Sequence, residues 1–404
     1  MTINSYKTHL VEMRLLLLTV FLLSQNFVYS RKLKNVFSWK QISYNIDGVL
    51  YDKDSDSLNG KENFIQYNNV PIGFEVYKER VFVTVPRRRF GIPSTLNIVT
   101  RSSRSPALTP YPGSEHLVSV YRPRIDVCGR LWMVDTGLLE VPGNRSQLQK
   151  PAIVVYDLKT DKQLLKYELK DSDLVSDRSS GGLTSITVDV TANDCDDAFA
   201  YINDLATNGI IVFSLKARDS WRVSHPSFAA DETALNFTVA GYPINWKDGV
   251  FSIALSGTGD GGTAYFHPLA SLQEYSISIQ DLKDGKTDSI QHLGTRGKNS
   301  QSGSHDYHRK TKTLFFANVA QDAILCWNVG NKMAPENIGV AVQDHKKLVY
   351  ISDLKVIGDE VWVLVNQMPR FIYSVLNTNE DNYFIFRSKV DDLIRNTVCE
   401  KKLK

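Results

Sequence analysis

The chain has 404 residues, of which 42% are hydrophobic and 10% aromatic, and its formal net charge is +3. Apolar residues at this level can build a large core, and all-β folds of this length can form a single unit. The nearly neutral charge gives no electrostatic basis for binding nucleic acid or an anionic membrane, so neither partner is expected.

Residues 1–30 have the three parts of a secretory signal peptide. Lys7 and Arg14 form a positive segment, residues 15–23 form an apolar segment, and cleavage is expected after Ser30. Met13 is a second candidate start, because the segment from there to the cleavage site is a complete signal. The apolar segment is too short to cross a bilayer core of about 30 Å. The sequence therefore predicts a secreted protein without a membrane anchor.

Residues 31–72 are predicted to hold one strand followed by a polar loop. From residue 73 onward, apolar runs of about three to five residues alternate with turn formers; in residues 125–157 they read IDV, LWMV and AIVVY. The runs are rich in β-branched and aromatic residues, which predicts consecutive antiparallel strands. No stretch keeps a period of about 3.6 residues, so helices are expected to be minor.

The strand pattern recurs six times between residues 73 and 399. The middle strands are spaced by about 50 to 70 residues and lie near Phe82, Trp132, Phe199, Tyr265, Phe315 and Trp362. Radial repetition of four-stranded sheets is typical of a β-propeller. The sequence therefore predicts an all-β, six-bladed β-propeller of four-stranded antiparallel blades over residues 73–399, with residues 400–404 as a tail. A jelly roll or a pair of sandwiches is the alternative, but neither explains the recurring unit.

Two repeats are less regular than the others. The fifth has a weak first strand near residues 303–307. The sixth is predicted to consist of LVYISDLKV, EVWVLVNQ and RFIYSVL, with YFIFRSK as its outer strand.

Four cysteines in a secreted chain suggest two disulfide bonds, for which three pairings are open. Cys128 and Cys195 lie in equivalent turns of adjacent repeats, so a bond between them is sterically sensible. That bond leaves Cys326, on the third strand of the fifth repeat, to hold Cys399 in the tail. The sequence has no CxxC motif and no zinc-ligand spacing, so no metal is expected. Asn144 and Asn236 begin sequons for N-glycosylation.

Several motifs resemble those of the insect yellow and major royal jelly protein family, and the yellow branch is the more similar. They occupy residues 81–86, 91–97, 126–132, 194–201, 265–271, 326–327 and 396–399. The resemblance covers the chain from about Trp39 to Cys399. The sequence departs from the yellow pattern at Arg88, where the family usually has Trp, and at Phe90, where it usually has Asp.

This resemblance implies a six-bladed propeller and the same two disulfide bonds. It also implies several functions, because family members act in pigmentation and melanin formation, a few convert dopachrome, some are nutritional, and salivary members bind biogenic amines. One fold can host many functions, so the site must be identified from its residues.

The resemblance to the salivary amine binders implies a ligand site at Ser352, Asn366 and Met368. In those proteins the three positions hold Thr, Asn and Phe, so the hydroxyl and the amide are kept here and an aromatic contact is lost. The alternative interpretation is that these residues are ordinary lining of the central channel.

Few residues of the sequence are candidates for catalysis. Dopachrome tautomerisation needs a base that removes a ring-carbon proton and an acid that returns one. His305 and His308 have the required side chains, but their polar surroundings predict a solvated loop. No cofactor motif is visible. Three hypotheses follow: a secreted binder of small amines or catechols, which is favoured; a dopachrome-converting isomerase; and a structural or nutritional protein.

Overall fold

The computed structural model describes residues 32–58, 62–100, 103–259 and 261–401. Six four-stranded antiparallel sheets form a six-bladed β-propeller, which confirms the predicted fold. The expected signal peptide, residues 1–30, lies outside the described residues. Within the described ranges, no helix is long and apolar enough to cross a membrane.

Each blade runs from an innermost strand at the central channel to an outer strand at the rim. Blade one consists of Gly73–Tyr77, Arg80–Thr84, Leu96–Val99 and Thr109–Pro110. Blade two consists of Arg124–Ile125, Arg130–Asp135, Ala152–Asp157 and Lys162–Glu168. Blade three consists of Leu183–Thr191, Asp194–Asp204, Gly209–Ser214 and Asp219–Ser224. Blade four consists of Val250–Leu255, Thr263–Pro268, Gln273–Ser278 and Gln291–Thr295. Blade five consists of Ser302–His308, Thr313–Asn318, Ala323–Asn328 and Ile338–Gln343.

Blade six differs from the prediction in its two outermost strands. It begins with Ile351–Ile357 and Glu360–Val365, as expected. The third strand is Tyr383–Lys389, which was predicted as the outer one, and the outer strand is Lys34–Trp39. The prediction of a strand at RFIYSVL is wrong, because most of this segment lies in the helix Met368–Tyr373. That helix has a proline in its first turn, where the missing N–H needs no partner and the fixed φ suits a helix start.

The strand Lys34–Trp39 closes the ring, because it pairs antiparallel with Tyr383–Lys389 and places Trp39 opposite Tyr383. Six apolar clusters fill the spaces between adjacent blades. The cluster between blades six and one buries Trp39 and Phe74 among many other side chains. The core is therefore distributed around the ring, and each blade depends on two neighbours.

The larger insertions gather on one face of the ring, which we call the upper face. Neighbouring strands run in opposite directions, so the loops after the second and fourth strands of every blade lie at the same end. This face carries the helix Met368–Tyr373 and four hairpins: Tyr44–Ile46 with Val49–Tyr51, Ser55–Leu58 with Glu62–Phe64, Leu138–Val141 with Asn144–Gln147, and Asn236–Val239 with Tyr242–Asn245. The other short helices are Ser179–Gly182, Ile279–Lys283 and Val390–Ile394, and the 3-10 turns are Gln66–Asn68, Asp171–Asp173, Pro226–Phe228, Glu232–Ala234 and Pro335–Asn337.

Both predicted disulfide bonds are confirmed. Cys128–Cys195 joins blades two and three, with Cα atoms 6.0 Å apart. Cys326–Cys399 ties the C-terminal segment to blade five, with Cα atoms 6.2 Å apart. Disulfides of this kind persist in oxidising compartments, which is consistent with an extracellular protein.

Candidate functional site

A cavity of about 290 Å³ opens on the upper face at the mouth of the central channel. Several of its residues lie one or two positions ahead of an innermost strand, among them Arg122 in blade two, Asp248 in blade four and Tyr350 in blade six. Its aromatic side chains are Tyr121, Trp246, Phe251 and Tyr350. Aromatic walls with a few polar groups are typical of sites that bind planar small molecules.

Two arginines line this cavity and are held differently. Arg122 is buried; its Nε donates to the carbonyl oxygen of Ser352 at 2.8 Å, and its Nη1 donates to a carbonyl oxygen of blade three at 3.2 Å. Its guanidinium carbon lies 4.6 Å from the centroid of the Phe251 ring. The side chain of Arg88 is 41% exposed, and its Nε lies 3.8 Å from Oε2 of Glu140. Arg122 is thus fixed, whereas Arg88 is loosely held.

Asp248 supplies a carboxylate to the same cavity. Burial raises its pKa from 3.8 to about 6, although the charges of Arg88 and Arg122 oppose this shift. The residue is only partly buried, so its carboxylate can be reached from the cavity. A carboxylate with a pKa near 6 is mostly ionised at neutral pH and still binds a proton readily, which suits a general base.

Two tyrosines provide hydroxyl groups. The Tyr121 hydroxyl donates to Oε2 of Glu140, and burial together with this carboxylate holds the pKa of Tyr121 well above its usual value. Burial raises the pKa of Tyr350 to about 12. Tyr350 has a φ of +57°, a left-handed conformation that is rare for a bulky residue and concentrates at functional sites. Both hydroxyls stay protonated at neutral pH. The Tyr121 proton is committed to Glu140, so Tyr350 is the tyrosine of this pair that can donate a hydrogen bond to a ligand.

The predicted ligand-binding residues are only partly at this cavity. Ser352 and Met368 line it, but the Ser352 hydroxyl donates to the carbonyl oxygen of Ile72 at 2.6 Å. Asn366 is fully buried behind the wall, where its Nδ2 donates to the carbonyl oxygen of Pro71 at 2.9 Å. Its Oδ1 accepts from the backbone N–H of Met368 at 3.1 Å. Asn366 therefore positions the wall of the cavity rather than lining it.

The two histidines proposed as acid and base do not converge. The expectation of a solvated loop is wrong, because both lie on the innermost strand Ser302–His308 and are buried. His305 Nε2 lies 3.6 Å from Oε1 of Glu274, and burial, with a neighbouring imidazole, lowers the pKa of His305 to about 3. His308 Nε2 lies 3.1 Å from Oδ1 of Asp359 at the opposite end of the channel. Residues three apart on a strand point to opposite faces, which separates the pair.

The opposite, lower mouth of the channel holds a cavity of about 470 Å³. Arg124 and Asp306 line this cavity and form an ion pair, with Arg124 Nη1 2.8 Å from Oδ2 of Asp306. A second ion pair places Lys355 Nζ 3.5 Å from Oδ2 of Asp353. Among the described residues that line the lower cavity, only Tyr307 is a phenol or phenyl ring. The upper cavity, although smaller, is therefore the better candidate for a ring-shaped ligand.

One buried cluster has the composition of a metal site. Nitrogen and oxygen atoms of His267, Glu274 and His305 lie within 4.8 Å of one another between blades four and five. Arg296 Nη1 lies 2.6 Å from Oε2 of Glu274 and already balances its charge. A divalent cation would add uncompensated positive charge to a fully buried site, so this cluster fits a metal poorly.

A family profile described as "Major royal jelly protein" matches residues 118–399 of this chain. The chain belongs to the major royal jelly protein family. The matched region includes the cavity residues Tyr121, Arg122, Glu140, Asp248 and Tyr350, whereas Arg88 lies ahead of it.

Alignments with several relatives in this family cover most of the chain. "L-dopachrome tautomerase yellow-f" of Drosophila melanogaster is 38% identical, and the match covers 90% of this chain and 94% of that protein. "Dopaminechrome tautomerase" of the same species is 33% identical, with 93% and 86% covered. "Protein yellow" of the same species is 34% identical, with 91% and 71% covered. The predicted resemblance to yellow and royal jelly proteins is confirmed.

Arg122, Asp248 and Tyr350, which converge in the upper cavity, were not predicted from the sequence. Each appeared as an isolated side chain in a loop. A signal was nevertheless present, since the loops that enter the innermost strands of a propeller meet around one channel mouth. Aligning the residues just ahead of each innermost strand would have brought the three together.

Proposed function

We propose that the upper cavity binds an aminochrome, the cyclised quinone of a catechol amine, and catalyses its tautomerisation to a dihydroxyindole. The observation that carries the proposal is a carboxylate with a pKa of about 6 in one aromatic cavity with two protonated phenols. Similarity over most of the chain to relatives named L-dopachrome tautomerase and dopaminechrome tautomerase supports this reaction class.

Conversion of an aminochrome to a dihydroxyindole moves two ring-carbon protons to the two quinone oxygens, one after the other through a quinone methide, without changing the composition of the substrate. Each of the two transfers uses the same groups. In the proposed step, the Asp248 carboxylate accepts the ring-carbon proton, and the C–H electron pair moves through the ring to the quinone oxygen. The Tyr350 hydroxyl donates a hydrogen bond and then a proton to that oxygen. The tyrosine regains its proton from solvent, to which Asp248 releases one. Hydrogen bonds aimed at the developing charge lower the barrier, and the aromatic wall holds the ring plane.

Replacing the base tests this proposal. Asp248→Asn keeps the side-chain size but removes the proton acceptor, so kcat for L-dopachrome should fall by about 10²- to 10⁴-fold. The measurement is the loss of dopachrome absorbance beyond the uncatalysed rate. Asp171→Asn is the matched control, because its carboxylate is 87% exposed on a distant 3-10 turn. The proposal is rejected if the wild-type protein gives no acceleration, and Asp248 is not the base if its variant keeps the wild-type kcat.

A binder of small amines or catechols without turnover is the second candidate. The carboxylates of Glu140 and Asp248 lie in one cavity with the rings of Trp246 and Tyr350, a combination that suits an ammonium group. Calorimetric titration with serotonin and dopamine measures this binding. Heat at micromolar ligand without conversion of an aminochrome would favour the binder, and no heat would exclude it.

We also propose that the protein is secreted and acts in cuticle pigmentation or melanin formation. Its membership of a family that includes the yellow proteins and its two disulfide bonds support this setting. Asn144 and Asn236 are exposed on upper-face hairpins, where a glycan would clear the blades. Expression in insect cells checks both points: the protein should reach the medium and lose mass on glycosidase treatment, and retention inside the cells would contradict secretion.

A further inference from the structure

Arg122 differs from the other fully buried arginines of the described chain. Arg130 Nε lies 2.7 Å from Oδ2 of Asp126, and Arg296 Nη1 lies 2.6 Å from Oε2 of Glu274. Arg122 is 6% exposed, yet in the described ranges no carboxylate oxygen lies within 4.0 Å of its guanidinium nitrogens. The charges of Asp353 and Asp248 act on Arg122 only from beyond this distance. Burying a cation without a direct anionic partner is costly, so the missing ion pair points to a ligand.

The contacts of Arg122 hold the guanidinium in place without neutralising it. Nε and Nη1 donate to the carbonyl oxygens of Ser352 and Thr184 at 2.8 and 3.2 Å. Carbonyl oxygens accept hydrogen bonds but carry no net charge. Since Arg122 also lines the upper cavity, its remaining donors can be reached by a bound molecule.

Arg88 brings a second guanidinium with uncommitted donors to the same cavity. Its Nε lies 3.8 Å from Oε2 of Glu140, and its Nη1 lies 3.9 Å from the thioether sulfur of Met368. The first distance is too long for a hydrogen bond, and a thioether is a weak acceptor. The Glu140 carboxylate is already engaged by the Tyr121 hydroxyl. Arg88 is therefore free to turn toward an anionic ligand.

We propose that Arg122 and Arg88 form an anion subsite, and that the substrates are aminochromes that carry a ring carboxylate rather than their decarboxylated counterparts. A planar guanidinium can bind a carboxylate through two parallel N–H···O bonds, and this contact supplies the anionic partner that Arg122 lacks. Because the inference rests on the proposed function, its test uses two substrates of one reaction. L-dopachrome carries the carboxylate, and dopaminechrome does not.

The kinetic test compares kcat/KM for both substrates. The wild-type protein should prefer L-dopachrome by about tenfold or more, the ratio expected for a charge-assisted hydrogen-bonded contact. Arg88→Gln should lose about tenfold on L-dopachrome and less than about twofold on dopaminechrome. Arg89→Gln is the matched control, because its guanidinium carbon lies 5.5 Å from the Phe371 ring centroid and it does not line this cavity. Arg88 is chosen for substitution because Arg122 connects blades three and six and its loss could unfold the ring.

Calorimetric titration with indole-2-carboxylate and with indole gives a readout that needs no turnover. The carboxylated indole should bind at least about tenfold more tightly, and Arg88→Gln should reduce that preference. If both aminochromes are converted with equal kcat/KM, the proposed preference for carboxylated substrates is wrong and the proposed tautomerase activity stands. If the carboxylated indole binds preferentially but neither aminochrome is converted, the proposed tautomerase activity is wrong and the anion subsite is supported. Equal binding of both indoles without turnover overturns both proposals.

Discussion

Burial favours the neutral form of both Asp248 and His305, which shifts their pKa values in opposite directions. The consequences for catalysis are therefore opposite as well. The carboxyl pKa rises to about 6, whereas the imidazole pKa falls to about 3. A base works best when its pKa lies near the operating pH, so burial improves Asp248 as a base and weakens His305. The choice between them therefore depends on their environment, which the residue types alone do not reveal.

The pH dependence of the reaction should report this ionisation. Asp248 must be ionised to accept a proton, so kcat/KM should be fully developed above pH 7 and should fall as the pH drops through about 6. Between pH 7.5 and pH 5 the expected loss is about tenfold, measured as a pH profile of L-dopachrome conversion. A flat profile over this range would contradict the assignment, and so would an unchanged inflection in Asp248→Asn.

The ligand site could be predicted only where it resembled known relatives. The resemblance pointed to Ser352, Asn366 and Met368, of which Ser352 and Met368 line the upper cavity. It could not show that the Ser352 hydroxyl is committed to a backbone carbonyl, because that contact joins residues 280 positions apart. Arg122 and Asp248 were missed for the same physical reason, since their proximity is created by blades that are distant in sequence.

At the scale of single elements, the local sequence pattern predicted most strands but not which strands pair with each other in blade six. Apolar runs with turn formers between them identified Ile351–Ile357 and Glu360–Val365, because alternation and β-branched residues are local signals. The run RFIYSVL is equally apolar, and only its preceding proline marked the helix Met368–Tyr373. One strand was predicted within residues 31–72 without the bounds Lys34–Trp39, and the pairing of this strand with Tyr383–Lys389 is a non-local contact that no local pattern encodes.

This closing strand should contribute strongly to stability, and Trp39 tests it. Trp39 is 1% exposed, its indole N–H donates to the carbonyl oxygen of Pro106 at 2.7 Å, and its ring centroid lies 5.4 Å from that of Phe37. Trp39→Ala leaves a cavity between blades six and one, so the free energy of unfolding should fall by about 3–5 kcal/mol. Denaturant unfolding measures the change, with the 56% exposed Phe90→Ala as the aromatic control. A loss below about 1 kcal/mol would show that the strand is dispensable for ring closure.

At the scale of the whole molecule, six inter-blade clusters and two disulfide bonds hold one closed ring. The cross-links differ in setting although their loops are similar, with sequence separations of 67 and 73 residues. Cys128 and Cys195 are partly exposed on the lower face. Cys326 and Cys399 are buried in the cluster between blades five and six. The second bond is therefore part of a core, whereas the first connects two turns.

Removing each bond should separate loop closure from packing. Loop closure alone predicts that either pair of Cys→Ala substitutions lowers the free energy of unfolding by about 4 kcal/mol, since loop length enters only as a logarithm. Cys326→Ala with Cys399→Ala also removes two buried sulfur atoms, so its loss should exceed that of Cys128→Ala with Cys195→Ala by about 1–2 kcal/mol. Denaturant unfolding of both double variants gives the comparison. Equal losses would mean that the buried sulfurs add nothing beyond loop closure, and a larger loss for the exposed pair would contradict the distributed core as the main source of stability. Conversion of L-dopachrome by the folded variants should stay unchanged, because neither bond lines the upper cavity.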